Sequence, residues 1–363
     1  MSFTLYLDRQ QWFKHLAETD RLFSGCLPVI KGNGYGFGNS FLADAMTKLG
    51  KRSVAVGTLE EARQISSTHS FEQILILTPV WSDLRPADLA FTFTVVSFQH
   101  LEQLVARVRN AGAFPPVKVV LKCSSGMKRF GVDAGELKAA AELLRADPTV
   151  LLEGYSLHFP VETMTEDEKL RQIQTWIQLI SSSGLACDKM YLSHISPALL
   201  RRLTEQYPAV SCVVRLGTSL WLAEKAYHFR STVLAVRQIA AGERYGYKQK
   251  KAWRQGYLVS VSGGTANGVG LEAPLHTSGL KGPLKLTLFW FLNLFNFHLS
   301  PFVYAGKRLW FAEPPHMQAS VLKLRRNPPK PGDEVALKNV RMTIAAFDEI
   351  VQFNERAAER DRT

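Results

Sequence analysis

Eight short apolar runs, separated by helical patterns, fill the first two-thirds of the chain and constrain its fold more than any other feature. Runs that are apolar on both faces and alternate with helices are typical of parallel strands. Eight such units in about 220 residues match the repeat of a (β/α)8 barrel, and the alternative is an open doubly wound sheet. The predicted strands are LPVIK (27–31), SVAVGT (53–58), QILILT (73–78), FTVVS (93–97), VKVVLKC (117–123), LLEGYSLH (151–158), MYLSH (190–194) and SCVVRLG (211–217).

A change of pattern near residue 230 predicts a second domain. Glycine, aromatic and β-branched residues become frequent there, and helical periodicity returns only in the last segment, IAAFDEIVQFNERAAERD. We therefore predict a barrel over residues 1–228 and a β-rich domain with a short terminal helix over residues 229–363. Within the barrel, Thr58 and Glu61 of TLEEARQIS form the pattern of a capping box and predict the start of a helix.

The charge and the cysteines argue against two classes of partner. The formal net charge is +12, but the basic residues are spread in short clusters and form no long arm. Nucleic-acid binding is therefore not expected, because such proteins concentrate their basic residues on one face or tail. The four cysteines, Cys26, Cys123, Cys187 and Cys212, show no CxxC spacing, which argues against a zinc site.

Two further segments bear on where the protein works. MSFTLYLDRQQW lacks the basic and apolar regions of a secretory signal, so we expect a cytoplasmic protein with reduced thiols. The apolar segment Leu284–Tyr304 is interrupted by Asn293, Asn296, His298 and Pro301. Because a membrane-spanning helix needs about 20 mostly apolar residues, we predict buried or interface strands in this segment and no membrane partner.

Polar and cationic side chains stand at the predicted ends of several barrel strands. In a (β/α)8 barrel these ends and the loops after them carry the catalytic groups. Any one of these residues is more commonly a surface charge, a loop cap or a satisfied core histidine. Together, with no carboxylate cluster beside them, they predict a site for an anionic ligand, and the glycine turns with hydroxyls after the last two strands suit a phosphate. The residues are Lys31, Lys122, Arg129, His158, Ser196, Arg215, Gly217 and Thr218.

Lys31 has the sequence setting of a lysine that reacts with aldehydes. A lysine that ends a buried strand near other cations has a lowered pKa, so more of it is the neutral amine. A neutral amine forms a Schiff base with an aldehyde. This lysine, a phosphate site and a cationic mouth together point to pyridoxal 5'-phosphate as the cofactor, and no metal is expected.

The same residues lie in segments that resemble those of the pyridoxal-phosphate-dependent alanine racemase family, of fold type III. VIKGNGYGFG, which contains Lys31, resembles the cofactor-lysine motif of that family. The other segments follow in the family's order, as far as residue 337: VAVGTLEEA, LKCSSGMKRFG, LHFP, VVRLGTSLW, GERYGYK, GGTANG and KPGDEVAL. The resemblance implies a homodimer in which each active site is shared between two subunits.

On the cofactor side of the site, the resemblance implies a role for each matching residue. Lys31 would hold the cofactor aldehyde and serve as one proton-transfer base. Arg215 would face the pyridine nitrogen, and Arg129 would contact both the phenolic oxygen and the substrate carboxylate. Lys122 would support Arg129, and this lysine is carbamylated in some relatives. The phosphate would be bound by Tyr35, Ser196, Gly217 and Thr218.

On the substrate side, the resemblance implies a second base opposite the lysine. Tyr247 would be that base, delivered from the partner subunit, and His158 would link it to Arg215. Met317 would lie near the substrate carboxylate. Racemisation needs such a pair, because a proton leaves one face of Cα and returns on the other.

Several residues depart from the family's motifs, and most of them lie on the substrate side. They are Phe37, Ser124, Thr265, Asn267, His316 and Gln318. We therefore predict an amino-acid racemase whose substrate need not be alanine, and a larger amino acid suits the changes. The alternatives are a decarboxylase or lyase of the same fold and a non-catalytic pyridoxal-phosphate-binding protein. Arg215 favours the racemase, because a decarboxylase of this fold prefers a carboxylate at the pyridine nitrogen.

Overall fold

The computed structural model describes residues 2–112, 115–161, 163–271, 287, 294 and 298–354. Its contacts group them into two compact units, which are described separately below. The barrel unit comprises residues 14–34 and 38–222, and the β unit comprises residues 2–13, 35–37 and the described residues from 223 onwards.

The secondary structure alternates between strands and helices up to residue 221 and is dominated by strands after it. The strands are β1 (Phe3–Asp8), β2 (Leu27–Ile30), β3 (Ser53–Val56), β4 (Gln73–Ile76), β5 (Thr92–Val95), β6 (Val117–Lys122), β7 (Val150–His158), β8 (Lys189–Ser193), β9 (Ser211–Leu216), β10 (Tyr227–Ile239), β11 (Arg244–Tyr245), β12 (Lys250–Lys251), β13 (Gly256–Ser262), β14 (Leu299–Tyr304), β15 (Lys307–Phe311), β16 (Ala319–Leu324), β17 (Glu334–Leu337) and β18 (Glu349–Phe353). The α-helices are α1 (Arg9–Leu22), α2 (Asn39–Lys48), α3 (Leu59–Ser66), α4 (Phe98–Asn110), α5 (Leu137–Ala146), α6 (Glu166–Ser182), α7 (Pro197–Gln206) and α8 (Thr218–Trp221).

Strands β2 to β9 close into a parallel barrel, which confirms the predicted (β/α)8 fold and all eight predicted strands. Closure is made by β9 against β2, where Leu27 pairs with Arg215. The strands are apolar on both faces because one face packs inside the barrel and the other against helices. The inside cluster consists of Leu27, Val29, Ala55, Leu75, Val120 and Tyr191.

The β unit is built on an eight-stranded sheet in the order β13-β16-β15-β14-β17-β10-β1-β18. Its pairs are antiparallel except for the parallel pair of β1 with β18. The core beneath it is aromatic and aliphatic, and among its buried members are Phe3, Val259, Val261, Phe302 and Leu322. This confirms a β-rich region after the barrel.

The predicted domain boundary differs from these units at the N-terminus. The sequence pattern places residues 2–13 in the barrel, but β1 pairs with β10 and β18 in the β unit. The alternation in FTLYLD buries Phe3, Leu5 and Leu7, whose main chain is paired on both edges. The local pattern indicates a strand but cannot show that its partners lie more than 200 residues away.

The predicted terminal helix is wrong for the described residues. Residues 349–353 form strand β18, whose main chain pairs with β1 at Thr4 and Glu349. The edge of β1 supplies hydrogen bonds that override a weak helical periodicity. Residues 355–363 lie outside the described residues.

The apolar segment 284–304 is described only in part. Its last six residues form β14, where Phe302 is fully buried in the sheet's core, as the prediction of a buried strand requires. Most of residues 284–297 lie outside the described residues. Among the helices of the described ranges, none is long and apolar enough to cross a membrane.

Candidate active site

The structure brings the predicted cations of the barrel together at the C-terminal ends of its strands. Lys31 directly follows β2, Lys122 ends β6 and Arg215 lies in β9. Lys122 and Arg215 are buried, with 8% and 7% of their surfaces exposed. The charge of Arg215 lowers the pKa values of Lys31 and Lys122, and so does that of Arg129. The predicted cationic mouth is therefore one electrostatic cluster.

The two lysines of this cluster differ in their surroundings. Burial lowers the pKa of Lys31, repulsion from Arg129 and Arg215 adds to this, and the carboxylate of Glu61 partly opposes it. Burial, Arg215, Arg129 and Lys31 together lower the pKa of Lys122 to about 8. Both amines are therefore more easily neutralised than a surface lysine, and Lys31 is the more exposed of the two.

Glu61 fastens the loop that follows Lys31. Its Oε1 accepts a hydrogen bond from the Gly32 N–H at 2.5 Å, and its Oε2 accepts from Gly57 and Thr58 at 2.7 and 3.0 Å. The sequence indicated Glu61 only as part of a capping box, which the structure confirms with the Thr58 side chain. One carboxylate thus caps α3 and ties the end of β2 to the end of β3.

Two glycines shape the surroundings of Lys31, one by its backbone conformation and the other by its lack of a Cβ. Gly32 has φ +62°, a left-handed conformation that costs other residues strain. A Cβ on Gly57 would lie 3.2 Å from the Cβ of Lys31 and 2.7 Å from Glu61 Oε2. A side chain at residue 57 would therefore displace either the lysine stem or the carboxylate that holds its loop.

Arg215 has one unused donor inside the protein. Its Nη2 donates to the Leu157 carbonyl at 3.1 Å, and its Nε is buried without a hydrogen-bond partner among the described residues. Burial lowers the pKa of Arg215 to about 10, which leaves the guanidinium charged at neutral pH. Buried donors are rarely left unpaired, so this N–H indicates an acceptor that the described chain does not supply.

His158 and His194 form a pair of neutral imidazoles beside the cations. Their rings meet edge to face, with centroids 4.9 Å apart. Burial and the charge of Arg215 are the main causes that lower the pKa of His158 to about 3. Burial and Lys169 also lower the pKa of His194, whose carbonyl accepts from Lys169 Nζ at 2.7 Å. The charge of Arg215 thus acts on His158, and the link that His158 would make between Arg215 and a tyrosine stays a prediction.

Ser196 already has an anionic partner. Its hydroxyl donates to Glu166 Oε2 at 2.7 Å, and its backbone N–H reaches the same oxygen at 3.1 Å. The hydroxyl oxygen also accepts from the Leu199 N–H as the cap of helix α7. Lys169 pairs with Glu166 at 2.8 Å. Ser196, which is predicted to bind the cofactor phosphate, therefore does bind an anionic group. In this structure that group is the carboxylate of Glu166.

The turn after β9 is packed into the barrel. Gly217 adopts φ −117° and ψ −98° before the short helix α8, which begins at Thr218. The helix is held by the Trp221 indole, whose Nε1 donates to the Val29 carbonyl at 2.7 Å. The turn predicted to bind phosphate therefore adjoins β2, the strand that Lys31 directly follows.

Three of the predicted site residues belong to the β unit. Tyr247 and Met317 are 87% and 73% exposed. Tyr35 is buried there, with φ +54°, and the next residue, Gly36, admits no Cβ because it would lie 2.8 Å from the Met342 carbonyl. The structure thus presents Tyr247 and Met317 to the outside of their own unit.

Two of the departures from the family motifs, Thr265 and Asn267, lie in one turn of the β unit. Asn267 Oδ1 accepts from the Gly264 N–H at 3.1 Å, and its Nδ2 donates to the Ala346 carbonyl at 2.9 Å. The Thr265 N–H donates to the His316 carbonyl at 2.8 Å. Asn267 is therefore a buried structural residue, whereas Gln318 lies exposed.

Within the described ranges no cluster of side chains suits a metal ion.

Comparison with known proteins defines the class. The sequence profile of the alanine racemase N-terminal domain matches residues 7–225, which is more than half of the chain. The chain belongs to the alanine racemase family, as the sequence motifs indicated.

The alanine racemases that the sequence resembles are distant relatives, with less than 30% identity. Alanine racemase of Latilactobacillus sakei is 27% identical over 263 residues, which is 67% of this chain and 67% of that enzyme. Alanine racemase of Vibrio vulnificus is 28% identical over 237 residues, 62% of this chain and 64% of that enzyme. The chain thus aligns with about two thirds of the length of these relatives.

Solved structures show that the fold is shared over nearly the whole chain. Alanine racemase from E. faecalis superimposes with a TM-score of 0.68 at 20% identity, covering 97% of this chain and 98% of that one. Histidine racemase from Leuconostoc mesenteroides gives a TM-score of 0.67 at 17% identity, covering 97% of each. These superpositions establish that the fold is shared. At identities this low they do not define the reaction, which has to be argued from the residues of the site.

Proposed function

We propose that the protein is a pyridoxal-phosphate-dependent amino-acid racemase that works as a homodimer. One observation carries this proposal: Lys31, with a lowered pKa, follows a barrel strand inside a cluster of cations that includes the buried Arg215. Membership of the alanine racemase family supports the same reaction. The changed residues around Tyr247 leave the substrate's side chain open, and a larger amino acid than alanine suits them.

The donors of the barrel unit fit pyridoxal phosphate. Arg215 offers a buried Nε–H that has no acceptor among the described residues, and an unprotonated ring nitrogen would supply one. Lys31 offers an amine for the aldehyde, and Arg129 a guanidinium for the phenolic oxygen and a substrate carboxylate. When bound, the cofactor withdraws electrons from an attached amino acid and so acidifies its Cα–H. Ser196, Gly217 and Thr218 are the proposed phosphate ligands of this unit, and the family resemblance implies Tyr35 of the β unit as a further one.

Two side chains would move the Cα proton. Lys31 accepts it on one face, because repulsion from Arg129 and Arg215 helps to keep a share of the amine neutral. Tyr247 serves the other face from the partner subunit, and its 87% exposure supports delivery outside its own chain. Met317, exposed in the same unit, would contact the substrate near its carboxylate.

The remaining residues would set the charge around these bases. His158 stays neutral because burial and Arg215 lower its pKa to about 3, so it can pass a hydrogen bond between Arg215 and Tyr247 without adding charge. Lys122 would support Arg129. Arg215 keeps its proton, with a pKa of about 10, and therefore does not protonate the ring nitrogen. A guanidinium at this position, where a decarboxylase of this fold prefers a carboxylate, favours the racemase.

Exchange of Cα–H in deuterium oxide tests the proposal directly. Purified protein with pyridoxal phosphate is incubated with single enantiomers of a panel from alanine to histidine, and chiral chromatography with mass spectrometry follows deuterium and configuration. We expect exchange and racemisation for at least one amino acid, and loss of both in Lys31→Ala. Lys138→Ala, at an exposed lysine of α5, is the matched control and should retain them.

The alternatives give different results in the same assay. Release of carbon dioxide without racemisation would replace the racemase with a decarboxylase. Cofactor binding with no Cα–H exchange on any amino acid would indicate a non-catalytic binding protein. In Tyr247→Phe the racemase predicts that exchange survives for one enantiomer only, since Lys31 still serves its own face.

A further inference from the structure

A carboxylate in the β unit connects the tyrosine turn to a histidine. Glu313 Oε2 accepts a hydrogen bond from the backbone N–H of Tyr247 at 3.0 Å. Glu313 Oε1 accepts from His316 Nε2 at 2.9 Å. The side chain of Glu313 is 12% exposed; its bond to His316 is partly buried, and its bond to the Tyr247 main chain is exposed. One partly buried carboxylate therefore fixes the main chain of Tyr247 and the ring of His316 together.

The turn is shaped to admit this carboxylate. Gly246 has φ +69°, and a Cβ there would lie 2.4 Å from Glu313 Oε2. Any other residue would have to expel the carboxylate or abandon the turn, because a Cβ does not approach an oxygen so closely. Gly246 and Glu313 are thus complementary in shape, and their packing sets the position of the main chain at Tyr247.

The backbone of His316 is held as firmly as its ring. Its N–H donates to the Ala319 carbonyl at 2.9 Å, and its carbonyl accepts from Thr265 at 2.8 Å. A Cβ on Gly264 would lie 2.1 Å from that carbonyl oxygen, so the neighbouring turn packs directly on it. The main chain of the turn at Gly264 and Thr265 therefore supports the main chain of His316.

The His316 ring lies against the ring of Tyr247. The centroids are 5.2 Å apart and the planes are inclined by 37°, which is within the range of favourable aromatic pairs. Tyr247 is otherwise 87% exposed, and an exposed tyrosine samples several rotamers. Within its own chain, the contact with His316 is what restrains the phenol ring of Tyr247.

We propose that Glu313 and His316 are positioning residues for Tyr247: the carboxylate sets its main chain, and the imidazole sets its ring. This inference rests on the proposed racemase function, in which Tyr247 is the second base. Proton transfer requires the phenol oxygen within hydrogen-bond reach of Cα–H, and misplacement by about 1 Å can cost 10²-fold in rate.

The first experiment measures ring position without activity. In the full chain labelled with [¹³Cε]tyrosine, the Tyr247 resonance is identified by its absence in Tyr247→Phe. We expect His316→Ala to remove the ring-current displacement of that resonance, and Glu313→Ala to remove most of it by releasing the His316 ring. An unchanged Tyr247 resonance in both variants would overturn the proposal.

The second experiment measures catalysis. We expect His316→Ala and Glu313→Ala each to lower racemisation by about 10- to 100-fold, while Cα–H exchange survives for the enantiomer that Lys31 serves. In the Tyr247→Phe background neither substitution should lower the remaining exchange, whereas general damage to the fold would lower it further. The double variant should resemble the single ones, because both act through one residue.

The matched control is His69→Ala. His69 also has an imidazole that bonds to a carboxylate, Asp44 Oδ1 at 2.9 Å, and it stacks on Phe71 in the barrel unit. Its removal should leave racemisation and the Tyr247 resonance unchanged. Absence of exchange in the wild type would refute the proposed function itself, whereas full activity in His316→Ala and Glu313→Ala would refute only the positioning role.

Discussion

Replacement of Lys122 by methionine should make the protein more stable at neutral pH. Lys122 is 8% exposed and lies among Arg215, Arg129 and Lys31, so its charge is buried beside like charges. Methionine fills a similar volume without a charge, and such replacements of buried charges are often stabilising. The usual expectation for the loss of a site residue, a weaker fold, is therefore reversed here.

The magnitude follows from the pKa of the lysine. It is lowered from 10.5 to about 8, and at 1.36 kcal/mol for each pKa unit this difference corresponds to about 3 kcal/mol. The unfolded chain holds the proton more tightly than the folded one, so the folded state loses this free energy while Lys122 is charged. The cost applies in full below about pH 8 and vanishes above pH 10.5, so the wild type gains stability as the pH rises through that window.

Urea unfolding of both proteins, free of cofactor and in buffers free of carbon dioxide, measures the effect. The stability of Lys122→Met minus that of the wild type should fall by about 3 kcal/mol between about pH 7 and pH 10.5. Differences in packing do not change with pH and cancel from this comparison. A difference that stays constant within about 1 kcal/mol would refute the reasoning.

Three further substitutions test other parts of the site. Glu61→Gln removes a charge that raises the pKa of Lys31, so the pH midpoint for acylation of that lysine in the cofactor-free chain should fall, and an unchanged or higher midpoint would contradict this. Glu166→Gln removes an anion from the proposed phosphate site and should tighten pyridoxal phosphate binding about three- to tenfold in a titration, whereas Glu205→Gln on helix α7 should not; equal effects would reject the assignment. Asn267→Ala should lower the free energy of unfolding by about 1–3 kcal/mol, since buried backbone groups lose their partners, and a neutral result in urea would show that the turn is held otherwise.

The barrel could be predicted from the sequence because its signals are local. Each strand is a short run with apolar residues on both faces, and parallel topology then brings the ends of the strands to one rim. For this reason the sequence alone predicts that Lys31, Lys122 and Arg215 lie together. The order of the strands brings these three charges close enough to lower the pKa of Lys122.

The features that the sequence does not predict depend on distant contacts. β1 belongs to the β unit because it pairs with β10 and β18, and no local pattern records these partners. Glu61 gives a capping signal, but its bond to Gly32 joins residues that are far apart in the chain. Glu313 gives no signal at all, since its role appears only when the turn at Gly246 packs against it.

The central claim is that Lys31 binds pyridoxal phosphate covalently, and reductive trapping tests it most directly. The protein is incubated with the cofactor, reduced with borohydride and digested, and the peptides are sequenced by mass spectrometry. The account predicts a pyridoxyl group on Lys31 at close to one per chain, and none at this position in Lys31→Ala. An unmodified Lys31, or a label that falls on Lys122 or on surface lysines instead, would contradict it.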